Sequence, residues 1–182
     1  MSGESIYTNK LHPGSGFPTM SATLLDGKQV TLGKPANEAD WQLVVVYRGR
    51  HCPLCTRYLN NLEQFKDELL NTGVDIIAVS GDSKAQLQDH LVQLDVSFPL
   101  AYGLTLEQME ELGVYISDPR SPQETDHSFA EPALFVINAE GKIQVVDISN
   151  NPFVRPELSA LVSGLKWIRD PQNNYPIRGM HR

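Results

Sequence analysis

The sequence contains little cysteine and no second set of metal ligands to accompany it. Its two cysteines, Cys52 and Cys55, are separated by two residues. A C-x-x-C pair is also half of a structural zinc site, but a second cysteine pair or a closely spaced histidine pair is absent. No motif indicates a flavin or a nucleotide either. We therefore expect no metal and no cofactor, and we interpret the cysteine pair as a site of thiol chemistry.

The chain also lacks an excess of basic residues and any long apolar run. Its 15 Lys and Arg residues against 22 Asp and Glu residues give a net charge of −7, without a basic stripe that would follow a phosphate backbone. No stretch approaches the roughly 20 apolar residues of a membrane span, and residues 1–10 contain no apolar h-region. We expect no nucleic-acid partner, no membrane segment and a cytoplasmic location, where an isolated cysteine pair is more often catalytic than structural.

The order of predicted elements indicates one domain over residues 14–171, between an irregular lead-in (1–13) and a tail (172–182). Apolar runs predict strands at residues 19–25, 29–32, 43–47, 74–79, 133–137 and 142–148. Apolar spacings of three and four predict one long helix over residues 53–71, one after Ser83, a short one from 105 and a last one from 156. Residues 95–103 and 114–131 show no periodicity and are predicted to be loops.

The cysteine pair lies where the strand at 43–47 gives way to the first long helix. Pro53 suits the first helical position, which places Cys52 at the N-cap and Cys55 one turn later on the same face. A thiolate at a helix N-terminus is stabilised by the macrodipole and by unpaired N–H groups, so its pKa should fall below the usual value. We expect Cys52 to be the nucleophile and Cys55 to attack the sulfur that Cys52 has carried into an oxidised form. The alternative is that both are small core residues without chemistry.

Charged residues surround this position in the sequence. Arg48 and Arg50 add positive charge close to the thiols, while His51 is charged or neutral according to its surroundings. Arg48 is a candidate for stabilising the thiolate, and Glu131 for moving protons. The alternatives are that the arginines lie on the surface and that Glu131 is a solvated loop residue.

A βαβ unit followed by an antiparallel hairpin and a closing helix describes an α/β protein of the thioredoxin-like fold. We expect a central mixed β-sheet flanked by helices, extended by an N-terminal β-hairpin. In thioredoxin-like proteins a cis-proline faces the cysteine pair, and Pro132 stands in the matching place before the strand at 133–137. We expect Pro132 to be cis; the alternative is an ordinary trans proline at the start of a strand.

The chain also resembles, from about residue 16 onward, the alkyl hydroperoxide reductase and thiol-specific antioxidant (AhpC/TSA) family of peroxiredoxin-like proteins. The motifs that carry the resemblance are Tyr47-Arg48-Gly49, His51-Cys52-Pro53-Leu54-Cys55, Val79-Ser80-Gly81-Asp82, Glu131-Pro132-Ala133-Leu134-Phe135 and Asn174-Tyr175-Pro176-Ile177-Arg178-Gly179. The likeness implies that Cys52 is peroxidatic and Cys55 resolving. Val45 and Gly49 depart from the proline and hydroxyl residue that typical members carry there, and Pro132 stands where they have an arginine.

The resemblance implies a thiol-dependent antioxidant oxidoreductase. Cys52 would reduce hydrogen peroxide or an organic hydroperoxide and form a sulfenic acid, Cys55 would condense with it to a disulfide, and an external thiol such as thioredoxin, glutaredoxin or glutathione would restore the pair. A homodimer is compatible with the family. Two other hypotheses stay open: a thioredoxin-like thiol–disulfide oxidoreductase without significant peroxidase activity, which the departures favour, and a redox-sensing binding protein that switches through the loop at 114–131.

Overall fold

A seven-stranded mixed sheet forms the centre of the molecule. The computed structural model describes residues 7–181, so residues 1–6 of the predicted lead-in and residue 182 of the tail lie outside the described part. The strands are β1 (Ser21–Leu24), β2 (Gln29–Thr31), β3 (Trp41–Val46), β4 (Val74–Val79), β5 (Leu100–Tyr102), β6 (Ile116–Ser117), β7 (Phe129–Ala130), β8 (Ala133–Ile137) and β9 (Ile143–Ile148). The sheet order is β2-β1-β5-β4-β3-β8-β9, with β6 and β7 paired separately. Strands β3, β4 and β5 are parallel and the other pairings antiparallel, which confirms the predicted thioredoxin-like sheet and its N-terminal hairpin.

Helices cover both faces of this sheet. They are α1 (Pro53–Glu63), α2 (Lys66–Asn71), α3 (Lys84–His90), α4 (Leu106–Leu112) and α5 (Leu158–Arg169). Leu43, Val45 and Tyr47 pack with the apolar residues of α1, α2, α3 and α5, whereas Val44 and Val46 pack with those of α4 and the hairpin. The apolar run of β3 is therefore continuous because both of its faces are buried. Among residues 7–181, no helix has the length and apolar character to span a membrane.

The predicted long helix after the cysteines is wrong, because it is divided into α1 and α2. The backbone N–H groups of Gln64 and Phe65 bond to carbonyls three residues earlier, so the chain tightens and the first helix ends. Side chains hold this end of α1 against a neighbouring loop: Asn60 accepts from the Asp95 N–H and Glu63 accepts from the Ser97 N–H. Hydrophobic periodicity does not detect such a break, because the apolar spacing continues through it.

Two predicted loops contain short strands. Strand β5 lies within residues 95–103 and pairs with β1 on one side and β4 on the other. Strands β6 and β7 lie within residues 114–131 and bring the two ends of that segment together. Each has three residues or fewer, so it forms through pairing with distant segments rather than through a local pattern.

The expectation of a cis-proline at Pro132 is wrong, since there is no cis peptide bond within residues 7–181. The chain runs extended from β7 through Pro132 into β8. The Glu131 N–H donates to the Tyr115 carbonyl and the Pro132 carbonyl accepts from the Ser149 N–H, at 2.7 and 2.9 Å. These bonds need no reversal of the chain, and the trans form is preferred where no tight turn requires the cis one.

Candidate active site

The cysteine pair lies at the N-terminus of α1, directly beyond the end of β3. Cys52 is the N-cap with extended backbone angles, and Pro53 occupies the first helical position. Cys52 Sγ accepts the Cys55 backbone N–H at 3.2 Å. Both thiols are free and buried. The two sulfurs thus occupy the positions predicted from the sequence, one at the helix end and one a turn inside.

The surroundings of Cys52 favour its thiolate. The pKa of Cys52 falls from 9.0 to about 6, chiefly because the Cys55 thiol donates a hydrogen bond to the Cys52 sulfur. Burial raises the pKa of Cys52, whereas the Cys55 N–H, the Arg48 side chain and the charge of Arg155 lower it further. The pKa of Cys55 is raised, first by burial and then by the hydrogen bond that it donates to Cys52. Near neutral pH the pair therefore holds one thiolate and one thiol, with the charge on Cys52.

Arg48 and Glu131 form an ion pair beside the thiolate. Arg48 Nε lies 2.9 Å from Glu131 Oε1, and the carboxylate side chain is 3% exposed. The Arg48 guanidinium also lies over the ring of Phe129, 4.6 Å from its centroid. Burial raises the pKa of Glu131, Arg48 opposes the shift, and the charge of Cys52 adds to it. Of the two sequence alternatives for Arg48, the structure places it at the site rather than on the open surface.

His51 and Arg50 differ in what they contact. The ring of His51 packs on Phe129 with centroids 4.5 Å apart, and burial, followed by the charge of Arg48, lowers the pKa of His51. The imidazole is therefore neutral near pH 7. The Arg50 side chain is turned outward and pairs with exposed Asp89 at 2.7 Å. Both Arg50 and Asp89 line the cleft beside Cys52, and the Arg50 backbone N–H makes a further bond described next.

Asp82 holds the turn that presents the cysteines, a role that its place in the Val79-Ser80-Gly81-Asp82 motif did not specify. This fully buried carboxylate accepts the Arg50 N–H at 2.8 Å and lies 3.1 Å from His127 Nε2. Gly49 has a φ of +136°, and a Cβ there would come within 2.5 Å of an Asp82 oxygen. The carboxylate thus fixes the turn between β3 and α1, and glycine is required for its close approach.

Arg155 is the site residue that sequence reasoning missed. Its Nη2 lies 3.3 Å from Cys55 Sγ, and the two residues are 100 positions apart. The guanidinium also stacks on the ring of Tyr58 at 4.7 Å. No local pattern in the sequence indicated that the segment after β9 returns to the cysteines.

An open cleft of about 690 Å³ gives access to Cys52. Its lining includes Arg48, His51, Cys52, Arg120 and Phe153. A second groove of about 420 Å³ continues past Leu54, Pro152 and Phe153, and Phe153 is 80% exposed. Within residues 7–181, no group of three or more His, Cys, Asp or Glu side chains converges as metal ligands do.

Comparisons with known proteins identify the family of this chain. Peroxiredoxin Bcp of Escherichia coli strain K12 is 29% identical over 142 residues, which cover 76% of this chain and 86% of that protein. A peroxiredoxin-like protein from Aquifex aeolicus superposes with a TM-score of 0.71 at 19% identity, covering 87% of this chain and 88% of that one. AhpC of Mycobacterium tuberculosis gives a TM-score of 0.72 at 17% identity, covering 90% and 96%. The model of the AhpC/TSA family matches residues 13–146, and the chain therefore belongs to that family of peroxiredoxin-like thiol oxidoreductases.

Proposed function

We propose that the protein is a thiol peroxidase in which Cys52 is the peroxidatic nucleophile and Cys55 the resolving thiol. The observation that carries the proposal is a buried, acidic cysteine at a helix N-cap that opens onto a cleft. At a pKa of about 6, most of Cys52 is thiolate at neutral pH, which is the form that attacks peroxides. The family relationship supports the same chemistry.

The proposed cycle has three steps. The Cys52 thiolate attacks the terminal peroxide oxygen, the O–O bond breaks, and the leaving alkoxide or hydroxide takes a proton; Cys52 becomes a sulfenic acid. Cys55 then attacks the Cys52 sulfur, the S–O bond breaks, and the hydroxide leaves with the thiol proton as water. Two external thiols finally reduce the Cys52–Cys55 disulfide and are themselves oxidised to a disulfide.

We assign supporting roles to four further residues. Arg48 stabilises the thiolate, and Glu131 holds Arg48 and relays protons between the cleft and the thiols. Neutral His51 lines the cleft, and trans Pro132 carries the chain from Glu131 into β8. We propose a cytoplasmic thiol, either thioredoxin, glutaredoxin or glutathione, as the reductant, and turnover with each of the three as sole donor distinguishes them.

Rapid-mixing kinetics with hydrogen peroxide and an organic hydroperoxide test the proposal. Reduced wild-type protein should lose both thiols much faster than a free thiol does, and Cys52→Ser should abolish the reaction. Cys55→Ser should still react once and accumulate a sulfenic acid that a trapping reagent captures. A wild-type rate equal to that of a free thiol would refute the peroxidase.

A second candidate is thiol–disulfide exchange without significant peroxidase activity. It is favoured by the two departures before Cys52: Val45 is buried and apolar, and Gly49 has no side chain, so neither offers a hydroxyl to a peroxide. A cleft of about 690 Å³ also holds far more than a peroxide. Brisk reduction of a disulfide substrate, together with peroxide reactivity no greater than that of a free thiol, would establish this candidate.

A further inference from the structure

The guanidinium of Arg155 is held in place against the sulfur of Cys55. Nη2 donates to Cys55 Sγ at 3.3 Å, and Nε and Nη2 donate to the Pro152 carbonyl at 3.3 and 3.2 Å. Its plane rests on Tyr58, whose hydroxyl donates to the Pro156 carbonyl at 2.8 Å. The Pro152 carbonyl and the Tyr58 ring of α1 therefore fix the position of the cation beside the sulfur.

The charge of Arg155 has no acidic partner at the site. Within residues 7–181, no salt bridge includes Arg155, in contrast to Arg48 and Arg50. Its Nη1 is buried and has no hydrogen-bond acceptor. A partly buried cation with an unused donor is costly to maintain beside a neutral thiol. In the reduced protein the charge of Arg155 lowers the pKa of Cys52, and a negative charge on Cys55, the sulfur that Arg155 contacts, would give this cation a direct partner.

Cys52 and Cys55 also differ in how accessible their sulfurs are to an external thiol. Cys52 lines the open cleft, whereas Cys55 is fully buried and contacts Arg155. An external thiol can thus reach Cys52 but not Cys55. Opening the disulfide at Cys52 expels the electron pair onto Cys55, which is the sulfur that Arg155 contacts.

We propose that Arg155 is a catalytic residue that stabilises the Cys55 thiolate, so that Cys55 is the leaving group when an external thiol opens the Cys52–Cys55 disulfide. The proposal rests on the proposed function for the existence of this disulfide. An external thiolate attacks Cys52 Sγ, the S–S bond breaks, a new S–S bond joins the external sulfur to Cys52, and the electron pair leaves on Cys55. A second external thiolate attacks the external sulfur, which releases the oxidised donor and the Cys52 thiolate; solvent protonates Cys55.

The same contact also assists formation of the disulfide. Burial raises the pKa of Cys55 and the charge of Arg155 opposes that shift. The attacking species is a thiolate, so a cation at this position increases the fraction of Cys55 able to attack an oxidised Cys52. Arg155 lies outside residues 13–146, the part that the family model matches.

The test uses no peroxide. The disulfide is formed with diamide and then opened by 2-mercaptoethanol over a range of pH, with acid quenching, alkylation and mass analysis. A hydrogen bond to a charged group is worth enough that Arg155→Gln should slow opening about tenfold or more. Arg155→Lys keeps the positive charge but not the planar guanidinium, so its disulfide should open at a rate between those of wild type and Arg155→Gln. The matched control is Arg57→Gln, which should behave as wild type, because Arg57 is an exposed residue of α1 that lines the same groove as Arg155.

A second readout distinguishes catalysis from a structural role. In a Cys52→Ser background, the ultraviolet absorbance of the Cys55 thiolate, which needs no access to the sulfur, should appear at higher pH in Arg155→Gln than with Arg155 present, while circular dichroism is unchanged. If Arg155→Gln does not fold, the opening rate and the pH profile are both measured on Arg155→Lys instead. Unchanged opening rates and pH profiles, or a mixed disulfide located on Cys55, would overturn the inference. Loss of peroxidase activity alone would not, because disulfide opening is measured without it.

Discussion

The acidity of Cys52 should depend mainly on the thiol of Cys55. The hydrogen bond from Cys55 is the largest single cause that lowers the pKa of Cys52 to about 6, ahead of the backbone N–H, Arg48 and Arg155. Cys55→Ala removes this donor but leaves the backbone N–H in place. Cys55→Ser is the matched control, because its hydroxyl can still donate to the thiolate.

The expected change follows from the strength of such a bond. A hydrogen bond to a charged group is worth about 1.5–3 kcal/mol, and one pKa unit corresponds to about 1.4 kcal/mol. Removing the donor should therefore raise the pKa of Cys52 by about one to two units, from about 6 to about 7–8. Near pH 7, the thiolate fraction would fall from about nine-tenths to between about half and one-tenth.

Ultraviolet thiolate absorbance and the pH dependence of iodoacetamide alkylation both measure this change. Cys52→Ser assigns the signal, since the raised pKa of Cys55 keeps that thiol protonated through the neutral range. The Ser variant should titrate closer to wild type than the Ala variant does. If Cys55→Ala titrates at the same pH as wild type, the thiolate is stabilised by the helix end and Arg48 instead, and our account of the pair is wrong.

Three further predictions concern stability and the turn before the cysteines. The folded-state pKa of Cys52 is depressed, so Cys52 contributes to the free energy of unfolding of the reduced protein above the unfolded-chain pKa of about 9, and this contribution is lost as pH falls through about 6. In urea unfolding, the difference in stability between wild type and Cys52→Ser should therefore grow from pH 6 to 9. A difference that stays constant with pH would contradict this prediction. Gly49→Ala should destabilise the protein by about 2 kcal/mol or more, because the alanine Cβ would clash with Asp82 at a positive φ; Gly141→Ala, with open space around it, should lose only the cost of its own positive φ. Asp82→Ala should lower the free energy of unfolding by about 2–3 kcal/mol, because the Arg50 N–H loses a buried charged acceptor. Asp89→Ala, at the exposed end of the Arg50 side chain, should lower it by under about 1 kcal/mol. Equal losses of stability in the two variants would refute the role of Asp82.

The elements that were predicted correctly are those with strong local patterns. The apolar run of β3 is buried on both faces, and Pro53 after Cys52 begins a helix where the sequence placed it. The capping box of Thr105 and Gln108 also begins α4, with both reciprocal hydrogen bonds present. In each case the chemistry of a few neighbouring residues suffices to specify the local structure.

The elements that were missed depend on contacts between distant segments. Strand β5 has three residues and exists because β1 and β4 pair with its two edges. The trans Pro132 follows from extended pairing on both sides rather than from its own sequence context. Local patterns carry no information about such partners, so prediction from the sequence fails there.

The active site divides in the same way. The sequence by itself determined that Cys52 and Cys55 share the first turn of a helix, with Arg48 and His51 nearby, because these positions follow from helix geometry over a few residues. Only the tertiary structure decided that Arg48 turns to Glu131, that Asp82 fixes the turn, and that Arg155 contacts Cys55 from 100 residues away. The charges of Arg48 and Arg155 add to the effect of the Cys55 thiol on the pKa of Cys52, because electrostatic interactions depend on distance in space and not on separation along the chain.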